Sequence, residues 1–206
     1  IARHMLNFLE NHDEQRFASR EYAGNAHLVL PSLVVAATIN NGPMMIYAGQ
    51  ELGERAEDAE GFSGRDGRTT IFDYWGVKTL QRWYNNGKCN YDHLSADEIQ
   101  LRETYATLLK LATREKAICK GSFFDVMYVN YNNPTFNPHN VYTYIRVYDN
   151  EVIVIAVNFA GCAFSCDITI PQHAFDVLNM QKGTFMATEL LTGKKAKKTL
   201  SESEPF

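Results

Sequence analysis

Between Met5 and Leu9 a short apolar run, broken only by Asn7, stops at Glu10-Asn11-His12-Asp13. A brief hydrophobic segment ending in polar turn residues predicts a buried strand that opens into a loop. A polar loop follows from Glu14 to Gly24, with Arg16 and Arg20 in it. Residues 25–40 then carry Leu28, Val29, Leu30, Leu33, Val34, Val35, Ala36, Ala37 and Ile39 without strict alternation, which predicts a buried helix. Pro31 fits only its first turn, and Asn41-Gly42 ends it, with Gly42 expected in a left-handed cap. Pro43 to Ala48 is the next short apolar strand, with Gly49-Gln50-Glu51 at its exit. Strand, helix, strand is the smallest parallel βαβ unit.

Leu52 to Leu94 shows little periodicity; a loop of that length is functional or carries short helices of its own. Ser95-Ala96-Asp97-Glu98 is a capping box, and the helix it opens runs to about Lys116, with Ile99, Tyr105, Leu108, Leu109 and Ala112 on one side. The period then changes. Residues 123–128, 141–148, 152–159, 164–170 and 184–190 are β-type runs, and Asp149-Asn150 is a hairpin signal. Short strands without intervening helices predict an antiparallel sandwich. The expected division is therefore an α/β part over 1–117 and an all-β part over 118–206.

Composition narrows the classes. The chain has 206 residues, 45% of them hydrophobic, which is ample core material. A formal charge of −4 gives no electrostatic reason to expect nucleic acid or an acidic membrane surface. No apolar run approaches the roughly 20 residues of a membrane span, and the start has no signal-peptide pattern. It opens on Ile1 almost against a strand, which predicts the carboxyl-terminal part of a longer protein and leaves the compartment unassigned. Cys89, Cys119, Cys162 and Cys166 have no metal-site spacing. On one strand Cys162 and Cys166 would stand about 13 Å apart, too far for a disulfide.

The stretch Phe8-Leu9-Glu10-Asn11-His12-Asp13 resembles the Phe-x-x-Asn-His-Asp motif of the α-amylase family of glycoside hydrolases, and Gly42-Pro43-Met44-Met45-Ile46-Tyr47-Ala48-Gly49-Gln50-Glu51 resembles the strand that follows it there. The order and spacing also look like the family's. This resemblance implies α/β plus all-β: strands seven and eight of a (β/α)8 TIM barrel with their helices, then an antiparallel β-sandwich domain. The loop after residue 51 would wall the substrate cleft. No cofactor is implied, and Met44 to Ala48 lacks the basic residue of the chloride-dependent members.

The resemblance also implies roles. Retaining glycoside hydrolysis needs a nucleophilic carboxylate and an acid/base about 5–5.5 Å apart. Asp13 is implied as the third carboxylate, which stabilises the transition state at the reacting sugar. His12 would donate to a hydroxyl of that sugar, Asn11 would hold the constellation, and Arg16 would orient loop or substrate. The nucleophile and general acid belong to strands absent here, since no Gly-x-Arg-x-Asp segment occurs, and neither Glu10 nor Glu51 fills the vacancy. The isolated chain is therefore expected to be inactive. The expected partner is an α-linked glucan or oligosaccharide, with self-association of the truncated barrel through uncovered edges.

Other readings of the same residues stay open. A His-Asp pair can belong to a dinuclear metal site, but only His4 stands nearby. Asn11 and Asp13 could be turn formers. Gln50 and Glu51 read as scaffold hydrogen-bonders. Phe62, Tyr74, Trp75 and Trp83 could stack on sugars, though such aromatics more often form a loop's private core. The run from Gly193 to Lys198 reads as a solvated hairpin tip. A non-catalytic relative of the fold, such as the amino-acid-transporter heavy chains, is the alternative class.

Overall fold

In the computed structural model, which describes residues 5–58, 65–72 and 74–206, the predicted strand, helix and strand over residues 5–48 take a reduced form. Asn7 and Met44 form a single parallel bridge. The Asn7 amide donates to Pro43 O at 2.9 Å and the Met45 amide to Asn7 O at 2.9 Å. The helix enters through a 3-10 turn, Ala26–Val29, that Asn25 caps by accepting from the His27 amide, and continues as α1, Leu30–Thr38. Pro31 lies in the first turn, where no amide donor is needed. The helix ends before Gly42, which does not take the left-handed conformation expected of it.

The expectation that residues 5–9 are buried is corrected. Met5, Leu6 and Phe8 are 57%, 48% and 43% exposed. One bridge pairs the segment on one side only, so no sheet shelters its side chains.

The chain forms two compact units, Ile1–Ala37 with Gly42–Leu109, and Thr38–Asn41 with Lys110–Phe206. In the first, the aperiodic stretch after Leu52 carries its own short helices: a 3-10 turn at Tyr74–Gly76, α2 at Lys78–Tyr84 and a 3-10 turn at Asn85–Gly87. α3, Ala96–Arg114, starts on the predicted capping box. The Glu98 amide donates to Ser95 Oγ at 3.2 Å and the Ser95 amide to Glu98 Oε2 at 2.8 Å. These reciprocal bonds satisfy donors that the helix cannot pair itself. Val29, Leu33, Leu52, Val77, Leu101, Tyr105 and Leu108 are buried. Gly53, at φ 71°, leaves room for close packing, since a Cβ there would stand 2.9 Å from Ala26 Cβ.

In the second unit a short helix, α4 (Lys116–Cys119), precedes β1 (Ser122–Asp125), α5 (Met127–Asn130), β2 (Val141–Tyr148) and β3 (Glu151–Asn158). The three strands form an antiparallel sheet in that order. Tyr148 pairs with Glu151 around the predicted Asp149-Asn150 turn, with Asp149 at φ 52°. α6 (Gln172–Leu178), β4 (Gly183–Thr188) and β5 (Lys195–Leu200) follow, the last two paired antiparallel. One core gathers Val126, Phe136, Ile145, Ile168, Ile170, Phe175 and Leu200.

Antiparallel pairing is as the sequence predicts, but the strand set differs. Residues 164–170 form no strand: Ile168 alone exchanges backbone bonds with Phe206, at 3.3 and 2.9 Å, and side chains bond the backbone of Asp167 and Thr169 on either side. Buried Asn130 accepts from the Thr169 amide at 2.8 Å and donates to Thr169 O at 3.0 Å. Thr135 Oγ1 accepts from the Asp167 amide at 3.0 Å, and Asn133 donates to Asp167 O at 2.9 Å. Of the lysines expected at a hairpin tip, Lys194 stays in the β4–β5 turn, whereas Lys195, Lys197 and Lys198 stand along β5. The turn is held by Glu189, whose carboxylate accepts from the Leu191 and Thr192 amides at 2.9 and 2.6 Å.

Arg146, in the middle of β2, is 1% exposed. Nε donates to Ala117 O and Nη1 to Ile39 O, each at 3.0 Å. Nη2 faces Ile118 O at 2.6 Å, Gly121 O at 3.0 Å and Asn41 Oδ1. All five are neutral acceptors, and burial pulls the guanidinium pKa down. Gly121 is required by closeness: a Cβ there would lie 2.2 Å from Ala117 O and 2.5 Å from Val147 O.

Candidate functional site

The chain turns sharply where the first apolar segment ends. Asn11 Oδ1 accepts from the amides of Asp13 and Glu14 at 2.8 and 2.9 Å, an Asx-type turn. Asn11 thus shapes the loop, and the turn presents the next two side chains outward. The Asp13 side chain is 70% exposed and that of His12 40%, with His12 Nε2 3.4 Å from Asp13 Oδ1.

Arg16 goes the other way and is 1% exposed. Nη1 donates to Glu10 Oε2 at 2.9 Å, Nε to Thr69 Oγ1 at 2.9 Å and Nη2 to Ala48 O at 2.7 Å. The guanidinium also lies over the Tyr47 ring, 4.2 Å from its centre. The Arg16 amide donates to Gly67 O at 2.6 Å, and the Tyr47 hydroxyl to Thr69 O at 3.2 Å. Arg16 therefore ties the turn, the exit of the second apolar segment and the loop at residues 67–69 to one another.

Glu10 is buried, and its other oxygen accepts from the Phe17 amide at 2.8 Å. Burial pushes its carboxyl above the usual range, against the pull of the Arg16 guanidinium. Its partners are the protein's own; the turn offers the carboxylates of Asp13 and Glu14 to solvent, and Asp13 is the one beside the His12 ring. An acceptor-only carboxylate beside an imidazole can bind vicinal hydroxyls and favour positive charge nearby. Among the described residues, no group of three or more His, Cys, Asp or Glu could hold a metal ion.

Structure and sequence thus place Asn11, His12 and Asp13 in one turn, with Arg16 beneath them. Glu10, Tyr47 and Thr69 complete the support and were not anticipated. The only cue was the acid six residues before Arg16. Gln50 is scaffold, donating to the Tyr105 hydroxyl at 3.0 Å and accepting from the Tyr47 amide at 3.2 Å. Trp83 packs against Arg102, whose guanidinium lies 5.6 Å from its ring centre. Trp75 is 61% exposed. His4, Phe62 and the Tyr74 ring fall outside the described residues.

A cleft of about 780 Å³ lies elsewhere in this unit, among Asn25, Arg55, Lys78, Arg82, His93 and Asp97, and none of the turn residues lines it. Its charges already face one another: Arg55 pairs with Glu57, Lys78 with Asp58 and Arg82 with Glu98. The chemistry is better sought at the turn. No helix among the described residues is long and apolar enough to cross a membrane.

No protein-family model matches the sequence, and no curated protein matches it. Solved structures do. A noncanonic maltogenic α-amylase from Thermotoga neapolitana superposes with a TM-score of 0.58 at 16% identity, over 97% of this chain and 37% of that one. An α-amylase from Anoxybacillus gives 0.58 at 15% identity, over 98% and 37%. A variant of AmyP in complex with maltotriose gives 0.59 at 18% identity, over 97% and 38%. The chain thus shares the fold of a part of these proteins and spans less than two-fifths of the length of each.

Proposed function

We propose that this chain is the carboxyl-terminal portion of a retaining α-glucan or oligosaccharide hydrolase of the α-amylase family. In this reading residues 1–117 carry the last two strands of the catalytic (β/α)8 barrel with their helices, and residues 118–206 are the β-domain. The likeness to α-amylases over nearly the whole chain supports the family. The observation that carries the site is the exposed His12–Asp13 pair beyond the Asn7–Met44 parallel bridge, the edge where such folds do chemistry. The AmyP complex with maltotriose suggests α-linked glucose units as ligand.

Asp13 stabilises the positive charge that develops at the anomeric carbon, and His12 donates to a hydroxyl of the same sugar. Asn11 fixes both through the turn. Arg16 acts on substrate through the loops it ties together, since its own donors are engaged. The nucleophile and general acid lie in the preceding part of the protein, so the 206 residues alone are inactive.

In the intact gene product, Asp13→Ala lowers turnover of maltotriose by a factor of about 10²–10³, the effect of removing a group matched to transition-state charge. Circular dichroism stays unchanged, because the side chain is exposed. Undiminished turnover would sink the assignment, as would an intact protein without a Gly-x-Arg-x-Asp segment.

A second outcome concerns the chain by itself. Met5, Leu6 and Phe8 present an apolar, singly paired segment to solvent, and such edges recruit further strands. Light scattering of the 206-residue chain should record dimers or larger species at high concentration. A monodisperse monomer would count against this.

A further inference from the structure

The tripeptide Asn-Asn-Gly occurs twice, as Asn40-Asn41-Gly42 after α1 and as Asn85-Asn86-Gly87 after α2. An asparagine before glycine is open to attack by the next backbone nitrogen, because glycine has no Cβ to obstruct the approach. Both Asn41 and Asn86 are exposed, but their surroundings differ. Asn41 Oδ1 accepts from Nη2 of the buried Arg146, so its side chain is fastened. Asn86 has no side-chain partner among the described residues. Its backbone is also strained: Asn85 and Asn86 stand in succession at φ 43° and 53°, ahead of Gly87 at 89°. Asparagine tolerates that region better than most residues, though not without cost. One 3-10 turn holds the segment, with the Lys88 amide donating to Asn85 O at 3.2 Å and the Cys89 amide to Tyr84 O at 3.1 Å. A single strained turn at the surface opens far more often than the fold as a whole.

We infer that Asn86 is the position at which this protein deamidates. Gly87 N bonds to Asn86 Cγ, the Cγ–Nδ2 bond breaks, and ammonia leaves with the proton that the Gly87 amide gives up. The cyclic imide then takes up one water, at Cγ or at the main-chain carbonyl carbon, and opens to aspartate or isoaspartate respectively. Water is consumed and ammonia released, with no oxidant or reductant. Either product puts a negative charge beside the carboxyl end of α2, the unfavourable end for it. Isoaspartate also adds a methylene to the main chain of the turn, where the Asn85 amide caps the helix through Gln81 O. α2 carries Thr79, whose hydroxyl donates to the buried Glu54 carboxylate, and Arg82, which pairs with Glu98. Damage at its end therefore reaches the interior of the first unit.

The turn bears no residue of the His12–Asp13 site, so the reaction stands apart from the function proposed above. Folded and denatured samples of the full chain are incubated in mildly alkaline buffer, and the peptides holding Asn41 and Asn86 are followed by mass spectrometry. In denaturant the two Asn-Asn-Gly segments react at similar rates. In the folded chain Asn41 must first leave a charged donor, which makes its reactive state roughly ten- to a hundredfold rarer, and Asn86 reacts faster by that factor. Equal rates at the two positions of the folded chain overturn the inference. Faster loss of ammonia at Asn41 does so too, and assigns Arg146 an activating part. Incubation also lowers the melting temperature of the folded chain, and Asn86→Gln, whose longer side chain closes the ring poorly, abolishes the drop. A drop of the same size in that variant tells against Asn86 as the site.

Discussion

Replacing Arg146 by methionine unfolds the second unit under conditions in which the parent chain is stable. The substitution strands Ala117 O, Ile39 O, Asn41 Oδ1, Ile118 O and Gly121 O, which depend on one guanidinium. Each buried acceptor left unpaired costs about 1–3 kcal/mol, part of which entering water recovers. A net loss of about 3–5 kcal/mol is expected, a large share of the ~5–15 kcal/mol that holds an ordinary domain together. No carboxylate pairs with this charge; it acts through charge-assisted hydrogen bonds to five neutral oxygens, whose directions the planar guanidinium matches. Arg146→Lys should therefore recover only part of the loss, since three donors at a point cannot serve acceptors arrayed around a planar fork. Hydrogen exchange of β1–β3 amides during denaturant titration reads the effect. Protection equal to that of the parent chain would show the network to be dispensable.

Arg16→Met destabilises the first unit by a similar amount, about 3–5 kcal/mol at neutral pH, because it leaves Glu10 buried without its cation. The variant carries a pH signature. Glu10 already binds its proton more tightly in the folded chain than a free glutamate does. From the ordinary glutamate range up to the folded pKa, the folded state therefore holds more proton than the unfolded one, and stability falls as pH rises. Removing Arg16 takes away the main opposing influences, so the folded pKa climbs further and the window widens. Acidification from pH 7 toward pH 5 should restore more stability to Arg16→Met than to the parent. Glu10→Gln on that background should remove the difference. Denaturant midpoints at the two pH values decide it, and a variant with no added pH dependence would refute the coupling.

Local signals carried far in this sequence where one residue's chemistry suffices to specify a turn. Ser95 and Glu98 announced α3, Asn25 to Asn40 announced α1, and Asp149-Asn150 announced the β2–β3 hairpin. What failed to show was whatever depends on distant partners. Residues 164–170 have strand composition, but their backbone meets Phe206 at Ile168 alone and otherwise the side chains of Asn130, Asn133 and Thr135, far away in sequence. α6 was missed for its length, since seven residues give too few turns for a period to register. Arg146 looked like one strand residue among others because its acceptors are carbonyls, which no sequence displays. At the candidate site Asn11, His12, Asp13 and Arg16 were legible through a motif, whereas Thr69 became visible only when the Arg16 side chain could be traced to it.

The division of labour within the turn bears on how such a protein can change over time. Asp13 and His12 reach into solvent and bear little of the fold, whereas Arg16 and Glu10 are sealed beneath them. A lineage could discard the pair in a single step and keep a well-folded molecule, but could not so cheaply discard what lies underneath. Under the function proposed for the pair, descendants that have given it up should still carry the arginine and the glutamate six residues before it, a relic by which they can be told from proteins that never had the turn.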